Sequence, residues 1–218
     1  MIRTALAALL LCGSTAAVAA NEDLDIEKVN GSIHVPDNAT VGALSTVNGS
    51  IRVGANAHAR SAETVNGGID LDDGVTIDSV ETVNGGIHVG EHDKIAKTVE
   101  AVNGSITLNG GADVSGHLSN VNGGIRLDAA HVGGGLETSS GDITVGANSR
   151  VEGGILVNED HSWFHISSHK PKVVIGPHAT VQGTLQFKRE VELYVSDSAT
   201  VGKIDGATPQ KFSGDEPR

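Results

Sequence analysis

Three histidines at four-residue intervals are the closest approach in this chain to a set of metal ligands. His161, His165 and His169 follow two carboxylates, Glu159 and Asp160. In an extended strand, residues four apart lie on the same face, and imidazole is a ligand of zinc and copper. A metal site also needs ligands that converge rigidly, whereas this segment has the character of a loop. The sequence therefore favours solvent-exposed histidines without a bound metal, and a zinc or copper site is the alternative.

The same segment carries two large aromatic side chains. Trp163 and Phe164 lie between the histidines, and all five aromatic residues of the chain fall after residue 160. Aromatic rings that are not needed for a core are common contact residues in binding sites. We therefore expect Trp163 and Phe164 to be the contacts if this segment binds a carbohydrate or a protein.

A second candidate binding feature is a set of glutamates that recurs through the chain. Glu63, Glu81, Glu100 and Glu137 occupy equivalent positions in successive repeats, interrupted by Ser119. If the repeats stack, these carboxylates form an acidic ridge whose like charges repel one another. A cation or a basic partner would relieve that repulsion, although hydration and salt can also screen it.

Catalytic chemistry is not indicated by any combination of residues. No nucleophile, base and orienting group occur in a recognisable arrangement, so we predict no catalytic residues, no cofactor and no enzymatic activity. Some sugar-cleaving β-helix enzymes place carboxylates on an outer face, which leaves a polysaccharide-acting enzyme as an alternative. The loops predicted here are too short to build the cleft that such enzymes use.

A five-residue repeat positions all of these side chains. The pattern Val-Asn-Gly-(Ser/Gly)-Ile occurs six times, at intervals of 18, 18, 18, 19 and 19 residues. A fixed period of this size indicates a repeat architecture, in which each unit buries its apolar face against its neighbours. The repeats begin at Val29, Val47, Val65, Val83, Val102 and Val121.

Eighteen residues divide into three sixes, and an apolar residue begins each six, as Val29, Val35 and Val41 do. Short alternating runs separated by Gly and Asn predict strands joined by tight turns, with no helical spacing. We therefore predict an all-β fold, a single-stranded parallel β-helix with a triangular cross-section and about 18 residues per coil. Isolated antiparallel hairpins at each Asn-Gly pair are the alternative.

The Asn-Gly pairs are expected at one corner of each coil. Glycine accepts the positive φ that a sharp bend can demand, and side-chain amides stacked at the coil spacing can bond to one another and satisfy buried polar groups. The predicted ladder consists of Asn30, Asn48, Asn66, Asn84, Asn103 and Asn122.

Domain boundaries follow from composition. Residues 1–20 have the basic start, apolar stretch and small residues of a signal peptide, with lipid anchoring through Cys12 as an alternative. Residues 21–205 form the predicted solenoid, with an insert or wider coil at 157–172. Residues 206–218 are polar and are predicted to be a disordered tail. No segment of the mature chain is apolar enough to span a membrane.

The charge of the chain limits its partners. A formal net charge of −12 argues against binding to nucleic acid, which needs a basic surface. It also argues against adhesion to anionic lipid.

Two families resemble this chain in their repeats. The Val-Asn-Gly-(Ser/Gly)-Ile units look like those of a secreted bacterial adhesin family with β-strand repeats, a domain of unknown function. Residues 173–185, Val-Val-Ile-Gly-Pro-His-Ala-Thr-Val-Gln-Gly-Thr-Leu, are similar to the repeats of bactofilins, which are polymer-forming cytoskeletal proteins. The resemblance implies a right-handed β-helix without catalytic residues. The predicted signal peptide differs from typical bactofilins and puts a cytoskeletal role in doubt.

These observations favour an exported, non-enzymatic structural or adhesin-like β-solenoid of the cell envelope, in the periplasm, at the cell surface or outside the cell. End-to-end self-association and binding to an envelope glycan or protein are the expected interactions. A monomeric carbohydrate- or protein-binding module that uses the 157–172 insert is the alternative. Two other solenoid types fit less well: acyltransferases would need a nucleotide-linked donor, and calcium-binding repeats would need a period of nine.

Overall fold

The structure is a computed structural model that describes residues 24–159 and 170–217. The predicted signal peptide lies outside these residues, and so do His161, Trp163, Phe164, His165 and His169. The described residues form 26 β-strands and no helix, so they contain no helix that could cross a membrane.

The strands are short, and most span two to six residues. In chain order they are β1 (Ile26–Asn30), β2 (Ile33–Val35), β3 (Ala43–Asn48), β4 (Ile51–Val53), β5 (His58–Asn66), β6 (Ile69–Leu71), β7 (Thr76–Asn84), β8 (Ile87–Val89), β9 (Lys94–Ile95), β10 (Val99–Asn103), β11 (Ile106–Leu108), β12 (Asp113–Val114), β13 (Leu118–Asn122), β14 (Ile125–Leu127), β15 (His131–Val132), β16 (Leu136–Thr138), β17 (Ile143–Val145), β18 (Arg150–Val151), β19 (Ile155–Val157), β20 (Lys172–Ile175), β21 (Thr180–Val181), β22 (Leu185–Phe187), β23 (Glu192–Ser196), β24 (Thr200–Val201), β25 (Ile204–Asp205) and β26 (Gln210–Phe212).

Every strand pairs in parallel with a strand of at least one neighbouring coil, and the strands form three faces. The first face is a ten-stranded sheet of β2, β4, β6, β8, β11, β14, β17, β20, β23 and β26. The second face contains the amino-terminal halves of β5 and β7, followed by β9, β12, β15, β18, β21 and β24. The third face contains β1, β3, the carboxyl-terminal halves of β5 and β7, and β10, β13, β16, β19, β22 and β25.

This arrangement confirms the predicted parallel solenoid of about ten turns, and it excludes the alternative of antiparallel hairpins. Ten strands at the usual inter-strand spacing give a rod roughly 45 Å long. The second and third faces are one continuous sheet near the amino terminus because β5 and β7 extend around the corner between them.

Aliphatic side chains fill the interior in vertical stacks. On the first face the outer two residues of the three-residue strands from β2 to β17 point inward, as Ile51 and Val53 do, and the middle residue is exposed or half-buried. The register places Ile33 over Ile51, and Ile51 over Ile69. Ring-sized side chains are not needed in so narrow a core, and Phe187 is the only buried ring among the described residues.

The inward side chains of the third face are not all aliphatic. The valines that precede the asparagines point outward, and Val29, Val65 and Val83 are 54%, 41% and 40% exposed. Strand alternation instead turns the residue before each valine inward, and in three coils this residue is a buried threonine: Thr46, Thr64 and Thr82. The hydroxyls of Thr64 and Thr82 donate to glycine carbonyls of the preceding coil at 2.9 Å, so the buried oxygens are bonded.

The carboxyl-terminal segment corrects the prediction of a disordered tail at 206–218. Residues Gln210–Phe212 pair in parallel with β23 and form the tenth strand of the first face. The amide of Asp197 donates to the Phe212 carbonyl at 2.9 Å, and Ala207 packs against the core. The reason is that the edge of β23 offers unpaired backbone groups, which this segment satisfies although its composition is polar.

The predicted insert interrupts the coil without disturbing its register. The third-face strand β19 ends at Val157 and the first-face strand β20 begins at Lys172. Val173 still lies directly over Ile143, thirty residues earlier in the chain. The described ends of the insert, residues 158–159 and 170–171, therefore lie at the corner between the third and first faces.

Candidate binding surface on the third face

Two parallel rows of side chains run along the outside of the third face. The acidic row is the set of outward positions two residues before the valine row, and its glutamates include Glu63, Glu81 and Glu100 on three adjacent coils. The register extends this row in both directions, so that in order it reads Glu27, Ser45, Glu63, Glu81, Glu100, Ser119 and Glu137. The valine row consists of Val29, Val47, Val65, Val83, Val102 and Val121.

The stacking of Glu63, Glu81 and Glu100 affects the pKa of Glu81, which lies between the other two. The pKa of Glu81 is raised above its ordinary value, first because its surroundings remove it from water and then because Glu100 and Glu63 lie above and below. Among the described residues, Glu63 and Glu81 form no ion pair, whereas Glu100 lies 3.6 Å from His117 Nε2. The acidic row is therefore largely unneutralised along its centre.

The predicted asparagine ladder runs beside the valine row, along the corner between the third and first faces. Each side-chain amide donates from Nδ2 to Oδ1 of the asparagine in the preceding coil, over distances of 2.9 to 3.1 Å. All six predicted asparagines belong to it: Asn30, Asn48, Asn66, Asn84, Asn103 and Asn122. The ladder is solvent-exposed, so it does not serve buried groups as the sequence suggested.

Close approach of the coils explains the glycine after each asparagine. A Cβ atom at Gly49 would clash with the carbonyl oxygen of Gly31, and one at Gly67 would clash with that of Gly49. Positive φ is a further requirement at some corners, for example 107° at Gly31. The corner is thus fixed by backbone contact between coils as well as by local conformation.

A shallow groove extends the surface toward the carboxyl terminus. It has a volume of about 230 Å³ and is lined by His117, Glu137, Leu156, Thr184 and Gln186, among others. Glu137 continues the acidic row here and accepts a 2.6 Å hydrogen bond from Asn158. Leu156 lies in register with Glu137, so the row changes from acidic to apolar at this point.

One buried carboxylate lies away from this surface, at the corner between the first and second faces. Asp93 is fully buried in a corner position that other coils fill with alanine, such as Ala57 and Ala112. Its oxygens accept hydrogen bonds from the amides of Val75 at 2.7 Å and Gly90 at 2.8 Å. Burial nevertheless raises the pKa of Asp93 to about 7.

Lysines occupy inward register positions at both ends of the solenoid. Lys28 pairs with the buried Thr46, and its Nζ donates to the Ser32 carbonyl at 2.7 Å. Lys211 pairs with the buried Val195. An inward-directed charge on an edge strand is a known device against pairing with another sheet.

The described residues contain no group of three or more histidines, cysteines or carboxylates that could hold a metal ion. The candidate metal ligands His161, His165 and His169, and the candidate contacts Trp163 and Phe164, lie outside those residues. The described part of the site therefore consists of the acidic row, the valine row, the asparagine ladder and the groove.

Sequence reasoning placed the glutamates and asparagines correctly in register but missed the outward valines, the inward threonines and Asp93. Alternation did not decide between Thr64 and Val65, because Asn66 and Val65 are both exposed and the alternation breaks at the corner. Asp93 gave no signal either, since the neighbouring sequence Glu91-His92-Asp93 reads as an ordinary polar turn.

Comparisons with protein-family models, with curated proteins and with solved structures gave no significant match to this chain. The resemblance to adhesin-type and bactofilin-type repeats therefore stays a prediction from the sequence.

Proposed function

We propose that this chain is an exported, non-enzymatic structural or adhesin-like element of the cell envelope that holds a protein partner against its third face. The observation that supports this most directly is the outward valine row beside the acidic row. Val29, Val65 and Val83 are exposed, the other three valines are half-buried, and Glu63 and Glu81 form no ion pair among the described residues. Scattered exposed valines are ordinary on protein surfaces, but a continuous row with a charged border is typical of an interaction site.

The geometry of the two rows defines the partner. Successive side chains in each row lie about 4.8 Å apart, and the rows are two residues apart along the strand, about 6.6 Å. A complementary surface would present an apolar row beside a row of lysine or arginine side chains at the same spacing. An exposed β-sheet face has this spacing, so we propose a β-rich envelope protein with a basic face as the partner.

The rigidity of the solenoid favours such binding. Each coil is fixed to the next by parallel backbone hydrogen bonds, and between Asn30 and Asn122 the ladder adds a side-chain bond per coil. A surface that is already ordered loses little conformational entropy when it binds. The acidic row would add long-range attraction and partner selection more than affinity.

Binding to isolated envelopes tests the proposal. Purified protein is mixed with envelopes from the cells that produce it, and the bound fraction is measured by co-sedimentation at increasing salt. The triple variant Glu63→Gln, Glu81→Gln, Glu100→Gln should bind at least about tenfold more weakly at low salt, because it removes the charged border. The double variant Val65→Thr, Val83→Thr should weaken binding at all salt concentrations.

A matched control changes the same number of charges elsewhere. The variant Asp70→Asn, Glu91→Gln, Asp128→Asn removes three exposed carboxylates that are not on the third face, and it should bind as the wild type does. Equal binding by the wild type and both third-face variants would contradict the proposal. If the variant Trp163→Ala, Phe164→Ala alone loses binding, the insert is the contact and the alternative hypothesis holds.

A further inference from the structure

The chain contains seven Asn-Gly pairs, and this dipeptide has a specific chemical weakness. The backbone nitrogen of the glycine, after losing its proton, can attack the side-chain amide carbon of the asparagine and expel ammonia. The resulting five-membered succinimide adds water and opens to aspartate or isoaspartate. Glycine permits the reaction because it has no side chain to obstruct the ring, and asparagine is accordingly a thermolabile residue.

Five of the seven pairs have their glycine nitrogen engaged in the structure. The N–H of each of these glycines donates to the backbone carbonyl of the asparagine in the next coil, at 2.8 to 3.1 Å. The bonds run from Gly31 to Asn48, Gly49 to Asn66, Gly67 to Asn84, Gly85 to Asn103 and Gly104 to Asn122. A nitrogen held in this way is less acidic toward solvent and points away from its own side chain.

The glycine N–H groups of the other two pairs are not held by such a hydrogen bond. Within residues 24–159 and 170–217, the N–H groups of Gly123 and Gly110 make no hydrogen bond. Gly123 loses its acceptor because the Asn-Gly pattern ends there and the next coil carries Ser140-Gly141. The amide of Gly141 donates a hydrogen bond to Thr138 Oγ1, and the amide of Ser140 donates to the Val121 carbonyl.

We propose that spontaneous deamidation at the Asn-Gly pairs of the folded chain is fastest at Asn109 and Asn122, and that stacking of the coils slows it at the other five pairs. The nucleophile is the free backbone nitrogen of Gly110 or Gly123. Ammonia is the leaving group, water completes the reaction, and no enzyme or cofactor is required.

Modification at Asn122 would alter the end of the ladder. Asn122 Nδ2 donates to Asn103 Oδ1 at 3.1 Å, and a carboxylate in its place has no proton to donate. Two oxygens would then face each other, while isoaspartate would also add a methylene to the backbone between β13 and β14. The ladder would therefore open from its carboxyl-terminal end, one coil at a time.

Peptide mapping by mass spectrometry tests the proposal. The purified full chain is held at mildly alkaline pH, and the fraction of each Asn-Gly pair converted is followed with time. Asn109 and Asn122 should convert about five- to tenfold faster than Asn48, Asn66, Asn84 and Asn103, the rate equivalent of one net hydrogen bond. In concentrated urea, all seven pairs should convert at similar rates.

A substitution that extends the ladder supplies an independent test. Ser140 is the register equivalent of Asn122, so Ser140→Asn restores the repeat in the next coil. This variant should protect Asn122 without changing the rate at Asn109, and hydrogen exchange at Gly123 should slow in parallel. Conversion of Asn122 at the rate of Asn66 in the folded wild type would overturn the proposal, as would earlier conversion of Asn30.

Discussion

The side chain of Asp93 is the residue whose ionisation is most closely tied to the fold. Its pKa rises from 3.8 to about 7 because burial penalises the carboxylate, although the amides of Val75 and Gly90 donate to it. The folded state thus prefers the protonated form. The stability associated with this group is present below about pH 4 and is lost as the pH rises through about 7.

Replacing Asp93 by alanine should remove this pH dependence. A pKa change of this size corresponds to about 4 kcal/mol, so the effect of Asp93→Ala on the free energy of unfolding should be more favourable at about pH 8 than at about pH 4 by up to that order. At both pH values the variant also leaves the amides of Val75 and Gly90 without their acceptor, which lowers stability equally. Urea unfolding at the two pH values measures the difference. Asp93→Ser is a suitable comparison, because Ser149 occupies the equivalent corner and accepts a bond from the Ala130 amide. If the free energy of unfolding changed with pH in the same way for the wild type and for Asp93→Ala, ionisation of Asp93 would not affect the stability of the fold.

Asn120 is a second residue that fits its position imperfectly. It replaces the inward threonine of other coils and is 1% exposed. Its Nδ2 donates to the Gly104 carbonyl at 2.7 Å, but its Oδ1 has no hydrogen-bond partner among the described residues. An unsatisfied buried oxygen costs about 1 to 3 kcal/mol.

Asn120→Thr should therefore stabilise the protein by about 1 kcal/mol, since a threonine hydroxyl can donate to Gly104 as Thr82 donates to Gly67. The measurement is the midpoint of urea unfolding. Asn120→Ala serves as the control, because it removes the bond to Gly104 and leaves a cavity, and it should destabilise. A lower midpoint for Asn120→Thr than for the wild type would mean that the amide fills space that threonine leaves empty.

At the scale of single elements, the asparagine ladder shows what one corner contributes to stability. An interior asparagine such as Asn66 takes part in two side-chain bonds, to Asn48 and from Asn84, whereas Asn30 at the end takes part in one. We expect Asn66→Ala to cost about 1 kcal/mol of unfolding free energy and Asn30→Ala about half of that. Both are exposed, so the difference reflects the bonds and not burial. Equal costs measured by urea unfolding would mean that the ladder bonds contribute nothing beyond local turn preference.

The elements could be predicted well because the repeat supplies their register. Six recurrences of Val-Asn-Gly fix where each coil begins, and parallel stacking then places Glu63 beside Glu81 without further information. The direction of each side chain was less accessible, since Val65 and Thr64 are both acceptable on either side of a strand. Only the packed structure shows that the hydroxyl of Thr64 finds a carbonyl inside the coil. The strand Gln210–Phe212 could not be predicted because its pairing depends on the open edge of β23 and not on its own composition.

At the scale of the whole molecule, the ends of the rod decide whether it polymerises. Parallel sheets leave unpaired backbone groups at β1 and β2 and at the last coil, which would favour stacking of one chain on another. Lys28 and Lys211 oppose this, because burying either charge against an apolar core without a partner is costly. We therefore expect a rod that acts through its sides and stays monomeric.

Removing both lysines should create end-to-end association. In the double variant Lys28→Val, Lys211→Val, each terminal coil presents an aliphatic residue in register with the core, so stacking no longer buries a charge. Sedimentation velocity should show species that lengthen with concentration, whereas the wild type and the control Lys94→Val, whose lysine lies on the second face, should remain single. Association of the wild type would show that the lysines can bend away from the interface. A monomeric double variant would instead show that the chain segments beyond β1 and β26 cover the ends sterically.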